Sequence, residues 1–189
     1  MRKYLFAVLV ALPGMLAAKP ASACWAMADL RFDDIKYASV IVIGRIANYE
    51  IVLDQAARQR HKELLARPDW PPEARKLLSE QQSFLSDYAR FDVLVDEVLV
   101  GKPQAVLSVT WDNSTFDEPD KMDEGPFLIA LRETDAKTPP LRGPSATIMP
   151  SLEPKKLTVL QAPCAPPFMF KAATAEAKKI RDMLTGTSK

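Results

Sequence analysis

Three side chains in this 189-residue chain carry chemistry by type: Cys24, Cys164 and the single histidine, His61. A thiolate beside an imidazole is the minimum for cysteine nucleophilic catalysis, so either cysteine with His61 is the pair to weigh. A disulfide between Cys24 and Cys164 would remove both nucleophiles. His61 sits in the charged run Arg58-Gln59-Arg60-His61-Lys62-Glu63, where a lone histidine reads as solvated rather than as a base or a ligand. The second reactive group is acidic: Asp112, Asp117, Glu118, Asp120, Asp123 and Glu124 crowd one stretch. Hard cations take oxygen ligands, and paired carboxylates can do acid–base work. The spacing does not follow the ligand register of an EF-hand calcium loop, so a solvated acidic loop is the plain reading. No GxSxG, HExxH or glycine-rich phosphate loop occurs. The sequence therefore predicts no catalytic residue, no metal site and no cofactor. A small hydrolase or a metal-dependent envelope enzyme stands as the alternative.

The N-terminus sets the compartment. Arg2 and Lys3 precede an apolar run from Tyr4 to Met15, and Ala21-Ser22-Ala23 follows. Charge, apolar core and small residues in that order predict a secretory signal peptide over residues 1–23. The run is short for a membrane span, and no later stretch approaches one. Cleavage after Ala23 makes Cys24 the first mature residue. Lipidation of Cys24 is the alternative, although Ala21 stands where a bacterial lipobox has leucine. Removing Arg2, Lys3 and Lys19 from the 25 basic residues leaves 22 against 24 acidic ones, formally −2. Near-neutrality gives no electrostatic case for nucleic acid. The expected location is periplasmic or secreted. In such an oxidising compartment Cys24 and Cys164 are expected to form a disulfide.

The elements that must position these residues are mostly strands. Phe91, Val93 and Val95 alternate with Asp92, Leu94 and Asp96, and Leu107, Val109 and Trp111 alternate after the Gly101-Lys102-Pro103 turn. A period of two over both runs predicts paired strands within Ala89 to Trp111. Val40 to Ile43 reads as a buried strand that continues to Val52 with a bend at Gly44. Pro126 to Arg132 is a strand buried on both sides, and Leu157 to Leu160 a short one. Residues 54–88 are predicted as a helical insert: one helix from Asp54 to Ala66, another starting at Pro71-Pro72. In the second, Ala74, Leu77, Leu78, Gln81, Phe84, Leu85 and Tyr88 form a stripe expected to pack back on the barrel. A terminal helix is expected over residues 172–184. The prediction is a single domain over residues 24–189, mostly β with helical additions. It is a small antiparallel OB-fold-like barrel, with the two-helix insert between the first two strands and a C-terminal helix.

Several segments resemble the netrin-like, or tissue-inhibitor-of-metalloproteinase-like, domain. Ser39 to Ile46 (SVIVIGRI) resembles its first strand, Phe91 to Lys102 (FDVLVDEVLVGK) its second and Val106 to Thr110 its third. Gly125 to Ala130 (GPFLIA) resembles the strand after that, and Cys164 its late cysteine. The resemblance implies an OB-type barrel. It also implies, for inhibitory members, a mature N-terminal cysteine whose amine and carbonyl approach an enzyme's zinc, the position of Cys24. The chain departs from the family in having two cysteines, and Trp25-Ala26-Met27 where a second cysteine would follow. By elimination the function predicted is an exported, non-enzymatic binding or structural module of the cell envelope. Its partner would be an envelope or extracellular protein and no nucleic acid. Cys24 and Trp25 are the residues singled out for interaction, and metalloproteinase inhibition through Cys24 is the alternative.

Overall fold

The structure is a computed structural model and describes residues 27–81, 84, 86–112, 119–141, 151 and 153–186. The predicted signal peptide, Cys24 and Trp25 lie outside the described residues. A 3-10 turn, Phe32–Tyr37, leads into β1, Val40–Val52. Helices α1, Gln55–Ala66, and α2, Pro72–Ser79, follow. Then come β2, Tyr88–Val100, β3, Val106–Asp112, β4, Phe127–Glu133, and β5, Leu157–Val159. The chain ends in β6, Met169–Lys171, and α3, Ala175–Leu184.

The strands close on themselves. The order is β1-β2-β3-β5-β4, and β4 pairs back to β1, while β6 lies against β4. The predicted OB-like barrel is present with both helical additions in the predicted places. One pairing departs from the antiparallel expectation: β3 and β5 run parallel, with Val109 opposite Leu157 and Thr110 opposite Thr158. The ring closes between β4 and β1, which pair from Val40 to Gly44.

The period-two pattern of β2 and β3 places Phe91, Val93, Leu107, Val109 and Trp111 inside, with Val42, Ile129, Leu131 and Val159 from the other strands. β1 and β4 are apolar on both faces for a reason. Ile41, Ile43, Leu128 and Ala130 point outward into a second core, where Leu160, Phe168 and the Ala177 and Ile180 stripe of α3 cover them. Thr174 caps α3 by accepting from Ala177 N–H. Gly44 is the bend of β1: the register against β2 slips between Ile43 and Gly44. A Cβ there would lie 2.6 Å from the Leu94 carbonyl oxygen, so only glycine lets β2 approach.

The insert corrects one expectation. Neither α1 nor α2 contains a buried residue, and Leu77 is 71% exposed. Helix α2 stops at Ser79 with Glu80 as its C-cap, so the proposed stripe does not continue to Tyr88 as one helical face. Instead Tyr88 is the buried first residue of β2. The two helices form an arm beside the barrel rather than a cover on it. Among the described residues no helix is long and apolar enough to cross a membrane.

Candidate functional site

Of the residues chosen by type, Cys164 and His61 are described, and they stand apart. Cys164 is 3% exposed in a turn where its backbone takes φ 65, and no described cysteine is a free thiol. Its turn is held from several sides. Ala28 N–H donates to the Cys164 carbonyl at 2.7 Å, and Ala165 N–H donates to that of Ala162. Trp111 Nε1 donates to Gln161 Oε1, whose Nε2 donates to the Ala165 carbonyl. The segment that follows Cys24 and Trp25 is thus pinned beside Cys164. His61 is elsewhere and is not the solvated side chain expected: its Nε2 donates to the Leu78 carbonyl at 2.7 Å, and its ring stands edge-on to Phe84. It joins α1 to α2.

The acidic stretch is dispersed too. Asp112 accepts from Thr158 Oγ1 at 3.4 Å and Asp123 pairs with Lys171 at 2.7 Å. Asp117 and Glu118 lie outside the described residues. Among the described residues no group of three His, Cys, Asp or Glu side chains could hold a metal ion.

What the fold does assemble is a polar surface at the end of β1 and β2 from which the arm rises. Asp54 starts α1 by accepting from Ala57 N–H at 2.9 Å, and its own N–H donates to Asp87 Oδ1 at 2.7 Å. Arg58, one turn into α1, donates to both Asp87 oxygens, at 2.6 and 2.7 Å. The fork geometry of guanidinium and carboxylate makes this the strong form of an ion pair. Arg58 also stands over the Phe84 ring, 4.5 Å from its centroid. The Arg58 guanidinium holds the Asp87 carboxyl below its ordinary range despite partial burial. The arm is therefore fixed at its base and open along its length.

A belt of polar residues crosses the outside of the barrel next to that base. Strand register lines them up: Glu50 faces Arg90, Arg90 faces Thr110, Thr110 faces Thr158, and Thr158 faces Arg132. Glu153, in the connection from β4 to β5, is the hub. It accepts from Tyr88 Oη at 2.9 Å and Arg90 Nε at 2.7 Å, and pairs with Lys156 at 2.8 Å. Burial raises its pKa, but the bonds from Lys156, Arg90 and Tyr88 outweigh that and bring it to about 2. Burial pushes the Asp112 carboxyl above its ordinary value against the pull of the Arg132 guanidinium. The same burial lowers Arg132, whose Nε is enclosed with no hydrogen-bond partner among the described residues. Glu50, Arg90, Glu153 and Lys156 form a chain of alternating charge that ties the β4–β5 connection to β2.

Sequence reasoning missed both features. The belt is built from residues up to 103 positions apart that meet only in the fold, as Glu50 and Glu153 do on Arg90. The arm had a signal, since Asp54 at an N-cap and Arg58 one turn later are visible in sequence. Their partner Asp87 lies beyond two helices. Comparison of the chain with protein-family models, with curated proteins and with solved structures gave no match. The chain's own geometry carries the functional reading.

Proposed function

We propose that this is an exported, non-enzymatic binding module of the cell envelope, and that the helical arm is its principal contact with a protein partner. The observation that carries the reading is the arm itself: two helices that bury no residue, held at their base by Arg58 and Asp87. Isolated helices of 12 and 8 residues are marginal in water. An arm that keeps Leu77 71% exposed gains most from a groove on another protein that covers it.

The signal-like N-terminus supports a periplasmic or secreted location, with a lipid on Cys24 as the alternative. The disulfide between Cys24 and Cys164 belongs to the same reading. It is supported by the bond from Ala28 to Cys164, which brings the chain within four residues of Cys24 to that turn. The OB-like barrel and the pinned N-terminal segment are what a netrin-like domain would have. On that resemblance the second reading is an inhibitor-like contact through the amine of Cys24 and the neighbouring Trp25.

The test is site-specific photocrosslinking in the producing cell. A photoreactive residue at Leu77 should capture an envelope protein, and the same residue at Lys178 on α3 should not. Capture at both positions alike, or at Trp25 alone, would transfer the binding role away from the arm.

A further inference from the structure

We propose that the turn from Glu153 to Lys156, with Ser151 just before it, is a pH-sensitive clasp on the barrel wall, operated by the carboxyl group of Asp112. It closes in mild acid and slackens toward neutral pH. Three contacts hold the turn to its surroundings. Glu153 accepts from Tyr88 Oη and Arg90 Nε on β2. The Ser151 hydroxyl bonds the Asp112 carboxyl and accepts from Glu153 N–H at 3.3 Å. Thr134 Oγ1 donates to the Pro154 carbonyl at 2.6 Å and ties the turn to the end of β4. The turn itself closes through Lys156 N–H to the Glu153 carbonyl at 3.0 Å.

Asp112 ends β3 opposite Tyr88, the first residue of β2. Strand register sets Thr110 beside Thr158 and Thr158 beside Arg132, and both threonines are buried. Thr158 Oγ1 donates to Asp112 Oδ2 at 3.4 Å. Among the described residues, the charged groups that act on Asp112 are Arg132 from β4 and Glu153 from the turn. Arg132 attracts it electrostatically, while the described hydrogen bonds of Arg132 run from Nη1 to the Glu133 and Thr134 carbonyls. Glu153 repels it. An ionised Asp112 is therefore half-buried between two hydroxyl donors, with a second carboxylate fixed on the turn beside it.

Linkage gives the direction. Burial outweighs the attraction of Arg132 and the hydroxyl bonds, and holds the Asp112 carboxyl above its ordinary value of 3.8. A group so raised binds its proton more readily when enclosed than when exposed. Enclosure is then favoured below its folded pKa and weakened as pH rises through it. Glu153 has the opposite shift and stays ionised down to about 2, so its bonds to Tyr88 and Arg90 persist while Asp112 titrates. Protonation of Asp112 ends the repulsion between the two carboxylates and leaves Ser151 and Thr158 a neutral acceptor. Ionisation restores two like charges side by side, which disfavour one another. Tyr88, Thr158 and Arg132 lie on strands, and Ser151 and Glu153 do not. The turn moves and the barrel stays. The clasp does not depend on the arm or its partner.

The full chain, isotope-labelled at its backbone amides and aspartate carboxyl carbons, is followed by NMR between pH 4 and pH 8. The Asp112 carboxyl carbon is expected to titrate above the ordinary aspartate range. The amides of Ser151, Glu153 and Lys156 should shift with the same midpoint. Corrected for its intrinsic pH dependence, hydrogen exchange at Glu153 and Lys156 should be roughly threefold faster at the top of the range than at the bottom, the scale of one partly screened charge pair. Asp112→Asn keeps the shape and an acceptor oxygen, and should hold the slow rate throughout. The spectrum of the variant verifies its fold. Leu77→Ser on the arm should leave the titration unchanged. An Asp112 carboxyl that titrates in the ordinary range, amides that ignore its midpoint, or a pH response that survives in Asp112→Asn would each overturn the proposal.

Discussion

Arg58 and Asp87 close the base of the helical arm with two parallel hydrogen bonds, of 2.6 and 2.7 Å, between residues 29 positions apart. Asp87 also accepts from Asp54 N–H. One carboxylate thus holds the start of α1 to the start of β2. Arg58 stacked on the Phe84 ring and a side-chain bond between Asp54 and Ser86 reinforce the same junction.

Replacing Arg58 by Met keeps the stem and removes the charge. Asp87, 9% exposed, is then left without its cation. Breaking a well-buried pair costs about 3–5 kcal/mol. This pair is only partly buried, at 24% and 12% side-chain exposure, so about 2 kcal/mol is expected. The loss should appear in the denaturant midpoint, with faster amide exchange in α1 than in β4.

Glu153 predicts an acid limb of stability. Its pKa falls from 4.5 to about 2 on folding. In that window the unfolded chain binds more protons, so stability rises with pH. The contribution is complete above about 4.5 and is lost as pH falls toward 2. It is on the order of 3 kcal/mol at most. Asp87, lowered by Arg58, adds to the limb with the same sign. Asp112, raised by burial, opposes it. Urea midpoints measured between pH 5 and pH 2 should fall steeply for the wild type and less steeply for Glu153→Gln.

Gly44→Ala should strain the barrel at its bend. The added methyl would lie 2.6 Å from Leu94 O and 2.8 Å from Val93 Cγ1. Neither the β2 backbone nor the packed Val93 can retreat cheaply, so a cost of about 1–3 kcal/mol is expected. The denaturant midpoint should drop while the slope stays the same.

The proposed Cys24–Cys164 disulfide predicts a mature protein two hydrogens lighter than its dithiol form. Reduction should lower the melting temperature. A long closed loop contributes on the order of 4 kcal/mol in the chain-entropy account. Free thiols in protein recovered from the envelope would remove the staple from the account.

The barrel was legible because period-two alternation reports which face of a strand is buried. Phe91, Val93, Leu107 and Val109 are inside as the pattern required. The double-sided run at Leu128 to Leu131 was equally informative, since both of its faces are covered. Short strands left weaker signals. Met169–Lys171 spans three residues and has too few alternations to separate it from a loop. The parallel pairing of β3 with β5 is a fact of chain return, with no local sequence mark. The arm was read correctly as two helices and wrongly as a cover. Its apolar spacing suggested a buried face, but α2 ends before that face can reach the barrel. The polar belt was illegible for a simpler reason: Glu153 has no distinguishing neighbours until Tyr88 and Arg90 are folded against it.

The most direct test of the account is the photocrosslinking comparison between Leu77 on the arm and Lys178 on α3, in cells that export the protein. The account predicts a discrete crosslinked species at Leu77, absent at Lys178 and diminished by Arg58→Met, which loosens the arm without touching its outer face. Equal capture at the two positions, or capture at Leu77 that is indifferent to Arg58, would contradict it.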